Sequence, residues 1–80
     1  MSRVTIYSRN GCHLCEQAER VIRFVQRSQP FDLEVVDIDR DATLREKYNE
    51  EVPVIAINGV DAFRHGISSE ELRKRLKAAG

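Results

Sequence analysis

The fold is decided by residues 3–15, whose sequence is RVTIYSRNGCHLC. The first half of this stretch alternates β-branched and aromatic side chains with others, which predicts a strand from Arg3 to Ser8. Asn10 and Gly11 then give a turn signal. From Cys12 onward the apolar residues return at helical spacing, so the sequence predicts a helix that opens at the carboxyl end of a strand.

This first helix is predicted to end before Gln29-Pro30, because Pro30 lacks the N–H that would continue it and restricts the residue before it. Its apolar residues at helical spacing predict the face that packs on the core. These residues are Leu14, Ala18, Val21 and Val25.

A second strand is predicted over residues 31–38, where the apolar set changes face partway along, as expected for a strand whose far half is covered on both sides. A short second helix follows, with Leu44 and Tyr48 one turn apart on the same face. Asp39 and Asp41 are the candidate caps of this helix, because aspartate side chains accept hydrogen bonds from free N–H groups at helix starts.

The last third of the chain predicts a hairpin and a helix. Residues 52–57 and 60–65 are β-prone and flank Asn58-Gly59, a strong signal for a tight turn between antiparallel strands. Ser68 and Glu71 have the spacing of a capping box, which opens a final helix that runs to Lys77. Ala78, Ala79 and Gly80 are expected to fray.

The predicted order is therefore β-α-β-α-β-β-α, an α/β architecture that we take as a single domain over residues 1–80. The right-handed crossover rule makes the first two strands parallel neighbours, and the hairpin makes the last two antiparallel. The sequence predicts a four-stranded mixed sheet with helices on both faces.

Composition excludes several partners. Lys and Arg number 13, as do Asp and Glu, so the formal net charge is zero and there is no charged run to follow a nucleic acid or an anionic membrane. No apolar run reaches the length of a membrane span, and residues 1–7 lack the apolar core of a signal peptide. We expect a cytoplasmic monomer that binds neither nucleic acid nor membranes.

The chain has two cysteines, Cys12 and Cys15, and they are too close to brace the fold. A disulfide closing so short a ring removes little chain entropy, about 2 kcal/mol before strain. At a helix start, however, unpaired N–H groups and the positive end of the helix dipole favour the thiolate of Cys12. Cys15, one turn on, is placed to attack a mixed disulfide on Cys12.

Spacing alone leaves three interpretations of this pair. The position after a strand in a β-α-β context favours a redox pair. The two thiolates of Cys12 and Cys15 are also half of a metal or iron–sulfur site, although a second spaced pair of ligands is missing. A third interpretation is a non-catalytic redox sensor or interaction domain.

Residues 6–15, followed by Val52-Pro53-Val54 and the Asn58-Gly59 turn, resemble the glutaredoxin branch of the thioredoxin-fold superfamily. The nearest likeness is to small bacterial glutaredoxin-like proteins with a C-H-L-C site. The resemblance implies a thioredoxin-like fold and thiol–disulfide exchange, with Cys12 as nucleophile and Cys15 as resolving thiol. It also implies a cis peptide bond between Val52 and Pro53.

The resemblance implies further site residues. Arg9 stands where many glutaredoxins carry a cation that contacts a glutathione carboxylate, and it would also support the thiolate. The backbone of Val52 would pair with the substrate, while Pro53 would keep metal ions away from the dithiol. Apart from the resemblance, the position of His13 beside Cys12 makes it a candidate to stabilise the thiolate near neutral pH when it is protonated. No tightly bound cofactor and no metal are expected.

The sequence does not decide which reductant returns the disulfide to the dithiol. Glutathione-using glutaredoxins usually carry Gly-Gly and an acidic residue between the fourth strand and the last helix, whereas residues 64–69 offer one glycine and two hydroxyls. Glutathione and a thioredoxin-type reductant are both retained. The expected substrate is a disulfide in a protein or a small molecule.

Overall fold

The computed structural model describes residues 2–79 and gives the predicted element order over that range. Two short 3₁₀ turns, Ile38–Arg40 and Asn49–Glu51, flank the second helix. The strands are β1 Arg3–Ser8, β2 Asp32–Asp37, β3 Val54–Ile57 and β4 Val60–Arg64, and the helices are α1 His13–Ser28, α2 Ala42–Tyr48 and α3 Ser69–Ala79.

The four strands form one mixed sheet in the order β2-β1-β3-β4. β1 runs parallel to β2 and antiparallel to β3, and β3 runs antiparallel to β4. The predicted mixed sheet is therefore confirmed. β1 lies in its interior, and the carboxyl end of β1 leads directly to the two cysteines.

Successive side chains along each strand point to opposite faces of the sheet, so the buried residues form a core on each face. Val4, Ile6 and Ile55 point to one face and pack in the main core with residues of α1 and α3. Tyr7 and Val54 point to the other face and pack with residues of α2. The prediction of helices on both faces is confirmed.

The turn between β3 and β4 has the backbone that its sequence predicts. Asn58 and Gly59 both have positive φ, 52° and 84°, as in the turns that match the twist of paired strands. Asn58 also binds Arg3 twice, since its N–H donates to the Arg3 carbonyl and its side-chain oxygen accepts from the Arg3 N–H, both at 2.9 Å. The hairpin is thereby tied to the start of β1.

Two of the four residues predicted to form the buried face of α1 are not buried. Leu14 is 49 % exposed and Val21 is half-buried, whereas Ile22 is fully buried. Both sets of positions satisfy the helical period, so the period alone does not choose between them. The buried stripe is Cys15, Ala18, Ile22 and Val25.

The far half of β2 is not covered on both sides as predicted. Val35 is 45 % exposed because β2 lies at the edge of the sheet and the packing helices leave its outer end open. The prediction of Asp39 as a cap is also wrong. Asp41 caps α2 by accepting from the N–H groups of Thr43 and Leu44, while the Asp39 N–H donates to the Asp37 side chain.

The third and fourth strands and the last helix differ from prediction at their ends. β3 begins at Val54 rather than Val52, and β4 ends at Arg64, one residue earlier than predicted. Ser68 accepts from the Glu71 N–H as the capping box predicts. Helix α3 continues to Ala79, two residues beyond the predicted end at Lys77, and Gly80 lies outside the described residues.

Within residues 2–79 no helix is long and apolar enough to cross a membrane.

The position of the α1 stripe can be tested by stability. We expect Ile22→Ala to lower the free energy of unfolding by about 3 kcal/mol, because it opens a cavity in the main core. Leu14→Ala should cost less than about 0.5 kcal/mol, because this side chain is largely exposed. Urea denaturation of both variants measures the two values, and equal losses would contradict the observed stripe.

Candidate active site

A tight turn delivers the first cysteine to the start of α1. The Cys12 N–H donates to the Arg9 carbonyl at 3.3 Å, and Gly11 has a φ of +74°. A positive φ at the third residue of such a turn is the conformation that glycine adopts without strain. Cys12 therefore becomes the N-cap of α1, in extended backbone conformation.

The sulfur of Cys12 caps the helix. The Cys15 N–H donates to Cys12 Sγ at 3.1 Å. In most helices an oxygen of Ser, Thr, Asp or Asn fills this place, because the first N–H groups have no partner within the helix. The same donor and the helix dipole stabilise negative charge on that sulfur when the pair is reduced.

Cys12 and Cys15 form a disulfide in the structure, with their Cα atoms 5.2 Å apart. Cys15 is 4 % exposed, whereas Cys12 is only partly buried. The difference in burial gives the two sulfurs different access to a partner. Cys12 is the more accessible of the two.

The predicted cis peptide bond between Val52 and Pro53 is confirmed. Val52 packs in the same buried cluster as the two cysteines, on the face of the sheet that α2 covers. The Pro53 carbonyl accepts a hydrogen bond from the His65 N–H at 2.8 Å. A backbone hydrogen bond from the residue that follows β4 thus holds the Val52-Pro53 segment.

A polar pair that the sequence analysis missed lies in this cluster. Tyr48 stacks against Tyr7, with ring centroids 4.6 Å apart, and its hydroxyl donates to the Asp61 carboxylate at 3.1 Å. Burial raises the pKa of Tyr48, and the hydrogen bond to Asp61 raises it further. Burial also raises the pKa of Tyr7. The two partners come from α2 and β4, and no short sequence pattern links them.

Arg9 has hydrogen-bond partners within the protein that the sequence does not predict. Its Nη2 and Nε donate to the two oxygens of Asp39 at 2.7 and 3.2 Å, and its Nη1 donates to the Asn49 carbonyl at 3.2 Å. The guanidinium thus joins the turn before Cys12 to both ends of the segment that contains α2. Asp39 is 30 residues away from Arg9 in the sequence, so nothing in the local pattern indicates this pair.

His13 extends into solvent from the first turn of α1. Its side chain is 77 % exposed, and its Nδ1 lies 3.9 Å from the Glu16 carboxylate. The structure therefore brings Cys12, Cys15 and Val52 into one cluster and ties the backbone of Arg9 to Cys12.

A groove of about 260 Å³ lies beside Cys15, between the start of α1 and the end of β2. Cys15 and Arg9 line it, together with three carboxylates, those of Glu16, Glu19 and Asp37. Over residues 2–79 no three Cys, His, Asp or Glu side chains are grouped closely enough to hold a metal ion.

Comparison with known proteins agrees with this geometry. Residues 3–77 match the model of a family described as Glutaredoxin-like domain (DUF836). The chain is 31% identical over 75 residues to the glutaredoxin-like protein YDR286C homolog of Dictyostelium discoideum, covering 86% of this chain and 69% of the relative.

Two solved structures show the same architecture. The protein XcR50 of X. campestris superposes with a TM-score of 0.80 at 31% identity, covering 96% of this chain and 99% of that one. Thioredoxin-2 of a malaria parasite superposes with a TM-score of 0.74 at 21% identity, covering 98% and 82%. The second likeness shows the thioredoxin-like fold alone.

The Tyr48–Asp61 pair predicts a pH-dependent stability difference. We expect Tyr48→Phe to lower the free energy of unfolding by about 1.5 kcal/mol near neutral pH, because the hydroxyl bonds a carboxylate. Since the folded-state pKa is raised, this contribution is complete below about pH 10 and is lost as the pH rises above that value.

The measurement is urea denaturation of wild type and Tyr48→Phe at about pH 8 and at about pH 11. The difference between the two proteins should shrink at the higher pH, and a constant or widening difference would contradict the assignment. In an Asp61→Asn background, Tyr48→Phe should cost clearly less, because the charged acceptor is gone.

Proposed function

Because the chain belongs to the glutaredoxin-like domain family (DUF836), we propose that it is a thiol–disulfide oxidoreductase whose nucleophile is Cys12 and whose resolving thiol is Cys15. The observation that carries the proposal is the hydrogen bond from the Cys15 N–H to Cys12 Sγ. It places the more accessible sulfur at the positive end of α1, where a thiolate is stabilised.

The reaction runs in two exchanges. The Cys12 thiolate attacks one sulfur of the substrate disulfide, a mixed disulfide forms on Cys12, and the first substrate sulfur leaves as a thiolate. The Cys15 thiolate then attacks Cys12 Sγ, and the second substrate sulfur leaves. Two electrons pass to the substrate, the two protons of the dithiol end on the substrate thiols, and Cys12 and Cys15 are left as the disulfide seen in the structure.

The four remaining predicted site residues are proposed as substrate contacts. Val52 packs in the cysteine cluster, and the cis peptide bond joins it to Pro53. Arg9 shares the turn that holds Cys12. His13 is exposed on the first turn of α1, where a bound substrate would meet it.

The reductant, compartment and assembly state are part of the same proposal. After each turnover, a disulfide of this kind is reduced again either by glutathione or by a thioredoxin-type dithiol. The two cysteines form one short-range pair and leave none for a long-range structural disulfide of the kind found in oxidising compartments. We therefore propose that the protein acts in the cytoplasm. We propose that the protein acts as a monomer on disulfides of proteins or small molecules, without a tightly bound cofactor.

The proposal is tested by replacing each cysteine in turn with serine. Cys12→Ser should lose essentially all disulfide reductase activity, because no nucleophile remains. Cys15→Ser, the same chemical change three residues on, should retain the first exchange and accumulate a stable mixed disulfide on Cys12.

Mass spectrometry after mixing with a disulfide substrate measures the adduct, and coupled thiol assays measure turnover. An adduct on Cys12→Ser but not on Cys15→Ser would reverse the two roles. Full activity in Cys12→Ser would refute the proposal. Stoichiometric zinc or iron in anaerobically purified wild type, lost in Cys12→Ser, would favour metal binding instead.

A further inference from the structure

The groove beside Cys15 contains one side chain that can attract an anion. Among the described residues that line it, Arg9 is the single cation, whereas Glu16, Glu19 and Asp37 each contribute a carboxylate. The Arg9 charge is therefore the one contribution from this lining that favours a negatively charged group, and a carboxylate that pairs with Arg9 weakens that contribution.

The Arg9 charge is already paired by a carboxylate that does not line this groove. Asp39 accepts from both Nε and Nη2, a bidentate geometry that matches the planar guanidinium to the carboxylate. The third nitrogen, Nη1, is bound to the Asn49 carbonyl. All three guanidinium nitrogens thus have protein partners. Glu19 is likewise paired, with Arg23 at 2.9 Å, so the carboxylates of Glu16 and Asp37 give the lining its excess of negative charge.

We propose that Asp39 determines the charge specificity of the dithiol: by pairing with Arg9, it competes with an anionic disulfide for this substrate contact and so favours neutral or cationic disulfides. The inference rests on the proposed exchange reaction. Rejection of a ligand by uncompensated charge is a common route to specificity, because an unpaired like charge costs more than a lost contact. Asp39 acts through Arg9 and is a positioning residue.

The chemistry is tested with three small disulfides that differ in charge. Oxidised glutathione is negative, hydroxyethyl disulfide is uncharged and cystamine is positive. In each case the Cys12 thiolate forms a bond to one probe sulfur and the other sulfur leaves as a thiolate, so the step is the same. Because the leaving thiols differ in reactivity, variants are compared for one probe at a time.

The experiment measures the rate constant for oxidation of the fully reduced protein by each probe. In Asp39→Asn we expect the rate with oxidised glutathione to rise on the order of fivefold relative to hydroxyethyl disulfide, and the rate with cystamine to fall. In wild type, added salt should raise the rate with oxidised glutathione and lower the rate with cystamine, since salt screens both interactions. This arm needs no substitution.

Two matched variants separate the Arg9 pairing from a simple loss of charge. Asp41→Asn makes the same chemical change two residues away and keeps the α2 cap, because asparagine caps helices as well as aspartate does. It should shift the glutathione rate much less than Asp39→Asn. In an Arg9→Gln background, Asp39→Asn should lose at least half of its effect, because no guanidinium is left to release.

The inference would be overturned if Asp39→Asn and Asp41→Asn shifted the rate with oxidised glutathione equally, or if the Asp39→Asn effect were unchanged in the Arg9→Gln background. In either case, exchange with all three probes would still support the proposed function. A wild-type rate with oxidised glutathione that falls with salt would overturn the inference as well. Failure to exchange with any of the probes would overturn the proposed function, and the inference with it.

Discussion

The hydrogen bond between the Cys15 N–H and the Cys12 sulfur is the interaction on which the site depends. A helix needs an acceptor at its first turn, and a reactive cysteine needs a donor for its negative charge; one bond meets both needs. The turn through Gly11 aims Cys12 at that position, and β1, in the interior of the sheet, fixes where the turn begins. The remaining elements hold this arrangement in place.

The two sheet faces contribute differently to the protein. The face covered by α1 and α3 carries the larger apolar cluster, which stabilises the fold. The face covered by α2 carries a smaller cluster that includes both cysteines and admits the polar pair of Tyr48 and Asp61. Within residues 2–79 no buried side-chain nitrogen or oxygen lacks a hydrogen-bond partner, so this polar content is compensated.

The sequence predicts the features that local physics specifies. The strand β1, the limits of α1, the Asn58-Gly59 turn and the position of the dithiol all follow from residues that are neighbours in the chain. The features that it does not predict depend on distant partners. The exposure of Val35 follows from the place of β2 at the sheet edge, and the Arg9–Asp39 pair joins the turn before α1 to the 3₁₀ turn before α2. The buried face of α1 is predicted only in part. Two sets of positions have the same helical period, and the burial of Ile22 shows which set faces the core.

The double tie between Arg3 and Asn58 bears on how the molecule folds. It joins residues 55 positions apart, so β1 and β3 can pair only after most of the chain has been brought back on itself. Contacts of such large sequence separation slow folding, since the entropy of loop closure must be lost before they form. Helix α1 can form early from local contacts, but the meeting of Cys12 and Val52 must wait for that closure. In a newly synthesised chain the two cysteines are therefore present before the cluster that surrounds them in the folded protein has formed.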